Sequence, residues 1–339
     1  MALIRIRGLS TVFGPQPKKA LQRVRAGADR ATLFADGHTL ALHDIDLDVR
    51  AGEIFVVMGL SGSGKSTLVR HINRLIEPTA GQVSIGSQNV SAMGPDELIE
   101  FRRTRLSMVF QGFGLLDHLS VLDNVALGLE FRGLSRAHRH AMAMHWIERV
   151  ALQGFEQHLP AELSGGMRQR VGLARALCSD TDIILMDEAF SALDPLIRAQ
   201  LQTELLTLQA ELGRTVVFIT HDLDEALRLG DRVAILREGR LVQVGTPQDV
   251  LLEPADRDVA AFVRNVNRAR ALTIDAARMP WPADLPLPPP EQAVDADASI
   301  EEALPRLVGR CAPLALRRGG TIVGQVSVDT VRALLEPQG

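Results

Sequence analysis

Two kinds of apolar pattern divide this chain. Ile54-Phe55-Val56-Val57-Met58, Ile183-Ile184-Leu185-Met186 and Val216-Val217-Phe218-Ile219 are short and uninterrupted, as parallel strands covered on both faces should be. Residues 2–7 and 42–49 alternate instead; in the second, Leu42, Ile45, Leu47 and Val49 oppose Asp44, Asp46 and Asp48. Both read as half-exposed strands, the first at a sheet edge. Shorter strands are expected at 82–86 and at 106–110, the latter ending at Gln111. Helical spacing joins Leu68, Ile72 and Leu75, and also Leu21, Val24, Ala28 and Ala31, which predict one helix over 18–34. That helix carries Lys18, Lys19, Arg23, Arg25 and Arg30 on its remaining surface. A surface helix packed on its own domain is expected there; the functional alternative is a basic face turned to a membrane or partner. Residues 112–180 hold helical patterns, including 121–131 and 137–150, and no convincing strand, so they form a helical subdomain inserted into an alternating β and α chain. The fold class is therefore α/β.

Beyond residue 262 the composition shifts. Six prolines and no glycine fall between Met279 and Pro290, a composition that excludes helix and favours an extended linker over 263–291. The remaining 292–339 predict a small α+β module: a helix capped by Ser299 and Glu302 and interrupted at Pro305, two strands joined by Gly319-Gly320, and a closing helix. A first domain over 1–262 and this module fit the size prior for 339 residues.

Composition narrows the class. A net charge of −4 argues against nucleic acid as the main partner, and no apolar run approaches the roughly 18 residues needed to span a bilayer. With no apolar signal core at the N-terminus, a cytosolic chain is expected. Cys178 and Cys311 are too far apart for a disulfide framework or metal spacing, and Cys178 reads as a buried helical thiol. His138, His140 and His145 lie in an arginine-rich stretch without carboxylate or cysteine partners, which favours a solvated helix face over a metal site.

The chemistry begins at Gly59-Leu60-Ser61-Gly62-Ser63-Gly64-Lys65-Ser66-Thr67, which fits G-x-x-x-x-G-K-[S/T] between a strand and a helix. Glycines let the backbone aim N–H groups at phosphate oxygens, and the positive helix end attracts them too. Lys65 would reach the β- and γ-phosphates and the Ser66 hydroxyl would ligate Mg²⁺. The strand at 183–186 ends in Asp187-Glu188, suited respectively to the Mg²⁺ shell and to polarising the attacking water. The strand at 216–219 ends in Thr220-His221-Asp222, which brings His221 to the same sheet edge as a γ-phosphate ligand. A second anion site is expected where Ser164 caps a helix opening with Gly165-Gly166.

Here the sequence resembles the ATP-binding cassette family. Leu163-Ser164-Gly165-Gly166-Met167 matches its signature, between the phosphate loop and Asp187-Glu188 as the family orders them. The resemblance covers about 1–262 and implies a RecA-like parallel core with a β subdomain and the inserted helical subdomain. It adds roles for Gln111, which would contact Mg²⁺ and water and report to membrane subunits, and for Ser191-Ala192-Leu193-Asp194 across a dimer interface. Phe13 lies where the family stacks an aromatic on adenine. Two copies are implied, paired head to tail so that Ser164, Gly165 and Gly166 of one close on ATP held at 59–67 of the other. The chain would sit peripherally on the cytoplasmic face of the inner membrane, coupled to permease subunits and, through them, to a substrate-binding protein. Met58 to Thr67, Asn73 to Thr79, Ser164 to Leu177 and Met186 to Arg198 look like the ATPase subunit of glycine betaine/L-proline (quaternary amine) importers. The tail at 295–335 looks like one cystathionine-β-synthase-type (CBS) module in which Ser327-Val328-Asp329 has the wrong spacing for the usual ligand string.

Alternatives of the same class are ATPases of choline, polyamine or amino-acid importers. A non-transport cassette acting on DNA or ribosomes would call for two cassettes, a long coiled coil or a basic surface. A non-hydrolysing scaffold would not need Glu188 and His221.

Overall fold

The computed structural model describes residues 2–336 apart from Ala192, Asn265, Ala283, Asp284 and 309–311, so Ala192 of the dimer-interface string and Cys311 lie outside the described residues. The chain forms two compact units, one of 1–222 with 229–244, the other of 223–228 with 245–339.

The first unit holds two sheets. Strands β1 (Ala2–Phe13), β2 (Thr39–Arg50), β4 (Ala80–Ile85) and β5 (Gln88–Asn89) form one, in the order β2-β1-β4-β5. The other runs β10-β9-β3-β8-β7-β6, built from β3 (Ile54–Met58), β6 (Leu106–Val109), β7 (Ile183–Asp187), β8 (Thr215–Thr220), β9 (Arg232–Arg237) and β10 (Arg240–Gly245). Strand β3 is parallel to both β8 and β9, and β7 to both β6 and β8. Every residue of β3, β7 and β8 is buried, which is why their sequences carry no alternation. The expectation of an edge strand at residues 2–7 is corrected: β1 pairs antiparallel with β2 on one side and with β4 on the other. Its alternation reflects one face on the core, with Ile4, Ile6 and Leu9 fully buried.

Helices α1 (Pro17–Arg25) and α2 (Arg30–Ala35) replace the single helix expected over 18–34. Gly27 turns the chain at φ +99°, and Asp29 starts a new helix by accepting the Thr32 N–H at 2.7 Å. Helix α3 (Lys65–Ile72) follows the phosphate loop and gives Leu68, Val69 and Ile72 to a core shared with both sheets. After α4 (Pro95–Arg105) come α5 (Val121–Phe131), α6 (Arg136–Arg149) and α7 (Gly165–Cys178), the expected helical insertion, and then α8 (Pro195–Leu212). His140 does have a carboxylate partner: its Nε2 lies 3.0 Å from Asp123 Oδ1 on α5, a neighbour 17 residues away. Cys178 is buried at the end of α7, and burial pushes its thiol up to about 12.

The second unit comprises most of α9 (Leu223–Leu229), then α10 (Pro247–Leu252), α11 (Arg257–Val263), α12 (Arg268–Ala271), β11 (Val294–Asp295), α13 (Ile300–Leu307), β12 (Leu314–Arg318), β13 (Thr321–Val326) and α14 (Val328–Leu335). Ser299 and Glu302 cap α13 reciprocally at 3.0 and 3.2 Å, and α13 runs through Pro305. The second unit begins earlier than the expected boundary at 262 and takes in the segment expected as an extended linker over 263–291. Leu272 and Ile274 are fully buried, Ile274 donates to the Ala298 carbonyl at 2.8 Å, and Met279 exchanges two backbone hydrogen bonds with Gln325 at 2.8 and 2.9 Å. These apolar residues pack on the tail they were expected only to tether.

Candidate functional site

Three glycines shape the phosphate loop. Gly59, Gly62 and Gly64 have φ of +150°, +77° and +101°, and a Cβ at Gly59 would stand 2.0 Å from the Leu236 carbonyl oxygen. A side chain is thus barred there by space as well as by conformation. Lys65, 5% exposed, folds its Nζ back to donate to the Gly59 carbonyl at 2.8 Å and the Leu60 carbonyl at 3.1 Å. Burial pushes its ammonium below the ordinary value, opposed by the carboxylates of Glu188 and Asp187. Leu60 is exposed and Ser63 buried, and the Ser63 carbonyl accepts the Gly239 N–H at 2.9 Å, which ties the loop to the β9–β10 turn.

Parallel register brings the strand-end residues to this loop. Asp187, 1% exposed at the end of β7, accepts the Ser66 hydroxyl at 2.8 Å and faces Arg70 at 3.5 Å. Glu188 follows at φ +47°, a left-handed conformation that costs a non-glycine residue about 1 kcal/mol or more. It is held there by its N–H on the Ile219 carbonyl at 3.1 Å, while its own carbonyl accepts both the Ser191 N–H and hydroxyl. The turn directs its carboxylate to Gln111 Nε2 at 3.0 Å and to His221 Nδ1 at 3.5 Å. Three strand ends, β6, β7 and β8, therefore converge on one carboxylate oxygen.

A cleft unites Phe13, Ser61, Gly62, Gly64 to Thr67, Gln111 and Glu188, with Phe13 43% exposed. Sequence reasoning missed four other residues in it: Arg30, Thr39, Leu40 and Ala41. Arg30 sat among the basic residues of the insertion and carried no separate signal. Likewise unforeseen was the pair Arg70–Asp187, one helical turn past the loop.

The predicted second anion site is not part of this cleft. Ser164 caps α7 by accepting the Met167 N–H at 3.3 Å, and with Gly165 and Gly166 it borders a separate cleft together with Asp194. Asp194 itself caps α8, accepting from Leu196 and Ile197 at 3.2 and 3.1 Å.

A glycine loop between a buried parallel strand and a helix, with an acidic pair ending the neighbouring strand, defines a phosphate-loop nucleoside-triphosphatase. Comparison with known proteins narrows this. The ABC transporter family model matches residues 42–191. A glycine betaine transport ATP-binding protein of Bacillus subtilis, OpuAA, is 51% identical over 80% of this chain, which spans 65% of that protein. The glycine betaine/proline betaine transport ATP-binding protein ProV of Escherichia coli is 44% identical over 99% of this chain and 84% of its own length. Among solved structures, a dimeric post-hydrolysis state of the ATP-binding cassette MJ0796 with ADP and Pi superposes with a TM-score of 0.62 at 32% identity, covering 72% of this chain and 98% of that one. The chain belongs to the ABC transporter family, as an ATP-binding, ATP-hydrolysing subunit.

Proposed function

We propose that this chain energises an importer of glycine betaine, proline betaine or a related quaternary amine. The observation that carries the reading is the end-to-end likeness to ProV, which includes the tail. A trimethylamine N-oxide transport ATP-binding protein of Ruegeria pomeroyi, 48% identical over 80% of the chain, supports the same solute chemistry. Methionine import ATP-binding proteins of similar identity match only 67–70% of it, which favours them less.

ATP's phosphates would lie along the N–H groups of the loop from Gly59 to Thr67, with Lys65 turning from its carbonyl partners to the β- and γ-phosphates. The Ser66 hydroxyl and Asp187 carboxylate, 2.8 Å apart, supply oxygens that suit Mg²⁺, and Gln111, which lines the same cleft as Ser66, could add its amide oxygen. Bound there, Mg²⁺ would neutralise charge on the phosphate oxygens. Glu188 polarises the attacking water, His221 contacts the γ-phosphate, and Gln111 holds the Glu188 carboxylate until nucleotide arrives. Phe13 stacks on the adenine. The Ser164, Gly165 and Gly166 end, with Asp194, closes on the nucleotide of a second copy in a head-to-tail dimer. Partners are membrane permease subunits and, indirectly, a substrate-binding protein, with the chain held peripherally at the cytoplasmic face; the transport ATP-binding relatives support that placement. Among the described residues no helix is long and apolar enough to cross a membrane. The β-α-β-β-α order of 294–335 supports a single CBS-like module, with Ser327 spent on capping α14 at 3.2 Å.

The test is reconstitution with its permease and binding protein in vesicles. ATP-driven uptake of glycine betaine that choline, methionine and putrescine do not match supports the reading; uptake of one of those instead overturns it.

A further inference from the structure

We propose that Arg30 is a positioning residue for nucleotide binding, through which the insertion between β1 and β2 sets the affinity of the phosphate loop; this rests on the reading that the loop holds ATP. The insertion is anchored. Leu33 is fully buried against Val12, Ala20, Leu21 and Leu40, and Arg23 of α1 pairs with Asp36 after α2 at 2.6 Å. These contacts, with the Asp29 cap, fix the backbone from which Arg30 projects.

The half-buried guanidinium of Arg30 donates through Nη1 to the Glu238 carbonyl and through Nη2 to the Leu40 carbonyl, and among the described residues no carboxylate pairs with it. One planar fork thereby clamps β2 to the turn between β9 and β10. Both clamped segments touch the phosphate loop. The Gly239 N–H, one residue past Glu238, donates to the Ser63 carbonyl. The Ala41 carbonyl, one residue past Leu40, stands 2.6 Å from where a Cβ on Gly64 would be and 2.4 Å from one on Gly239. Glu238 itself is held at φ +48°, so the turn is one that a missing clamp would let relax. Loop N–H groups bind phosphate only when preorganised. Loosening the clamp should therefore raise the dissociation constant for ATP without touching the groups that act on the water.

The experiment measures ATP affinity with a fluorescent analogue, and KM and kcat for hydrolysis, in the full chain. Arg30→Ala should weaken binding and raise KM about tenfold, the effect of one charge-assisted hydrogen bond, with the loss falling on KM and not kcat. Arg30→Lys, which keeps charge but not the fork, should fall between. Leu33→Val, which loosens the insertion at a buried position that does not itself line the cleft, should raise KM in the same direction and leave kcat. Lys65→Ala is the control: if it fails to weaken binding, the reading of the loop as an ATP site is at fault. If Lys65→Ala weakens binding while Arg30→Ala and Arg30→Lys do not, the positioning role is overturned. If the Arg30 variants act and Leu33→Val does not, the coupling through the insertion is overturned.

Discussion

The N-terminal ends of α3 and α7 are both glycine-rich, both proposed to meet a phosphate, and differently equipped. At α3 the chain supplies a buried lysine, a hydroxyl on a buried aspartate, and a glutamate held by Gln111 and His221. At α7 it supplies a capping serine, two glycines and Asp194, in a cleft of their own. On the proposed reading the first end carries the hydrolytic groups and the second would serve as a cover. In the head-to-tail dimer proposed above, a second copy would complete the site, each lending its α7 end to the other's α3.

The largest effect should come at the equipped end. Glu188→Gln should lower hydrolysis about 10²–10⁴-fold while ATP still binds, since only the group orienting water is altered. Hydrolysis rates and nucleotide titration on the purified chain measure this, and near-normal turnover would remove Glu188 from the role given to it. The same variant, unable to release, should form a dimer with ATP on size-exclusion chromatography. Adding Ser164→Arg should abolish that dimer by filling the α7 end, and a dimer that survives would refute the head-to-tail closure.

A smaller effect separates the two ends in the monomer. Lys65→Ala should weaken ATP binding about ten- to hundredfold, through loss of a charge-assisted contact of about 1.5–3 kcal/mol. Ser164→Arg should change monomer affinity less than about twofold. Equal losses at both ends would mean that one chain wraps its own nucleotide.

The smallest concerns how α3 is anchored. His71 on that helix is 1% exposed, with Nδ1 2.8 Å from the Ile76 carbonyl and Nε2 2.7 Å from the Thr11 hydroxyl on β1. Burial lowers its pKa to about 4, so the folded chain keeps it neutral. Between about pH 6.5 and 4 the unfolded chain binds the extra proton, and stability from this group falls as pH falls, by at most about 1.4 kcal/mol per unit. Urea unfolding of the wild type and His71→Gln at pH 7 and 5 tests it: the pH difference should shrink in the variant, and an identical difference would show that His71 does not titrate so.

Much of the site was legible because its chemistry is contiguous. Nine residues from Gly59 to Thr67 carry backbone freedom, charge and hydroxyl together, and Asp187-Glu188, His221 and Gln111 each end a short apolar run that says which sheet edge they reach. Caps were equally local: Ser164, Ser299 and Glu302 act within one helical turn. Other features depended on which segments meet. Strand β1 became central and not an edge because β4, some 75 residues on, pairs with its free side. His140 found Asp123, and residues 272–279 joined the tail, for the same kind of reason. Arg30 looked like its basic neighbours until β2 and the Glu238-Gly239 turn were brought to it. Local sequence determined the backbone's turns, caps and glycine loop, since those interactions span a few bonds. Only the tertiary structure decided the partners, because a hydrogen bond between distant residues is specified by the path of the whole chain and not by either residue's neighbours.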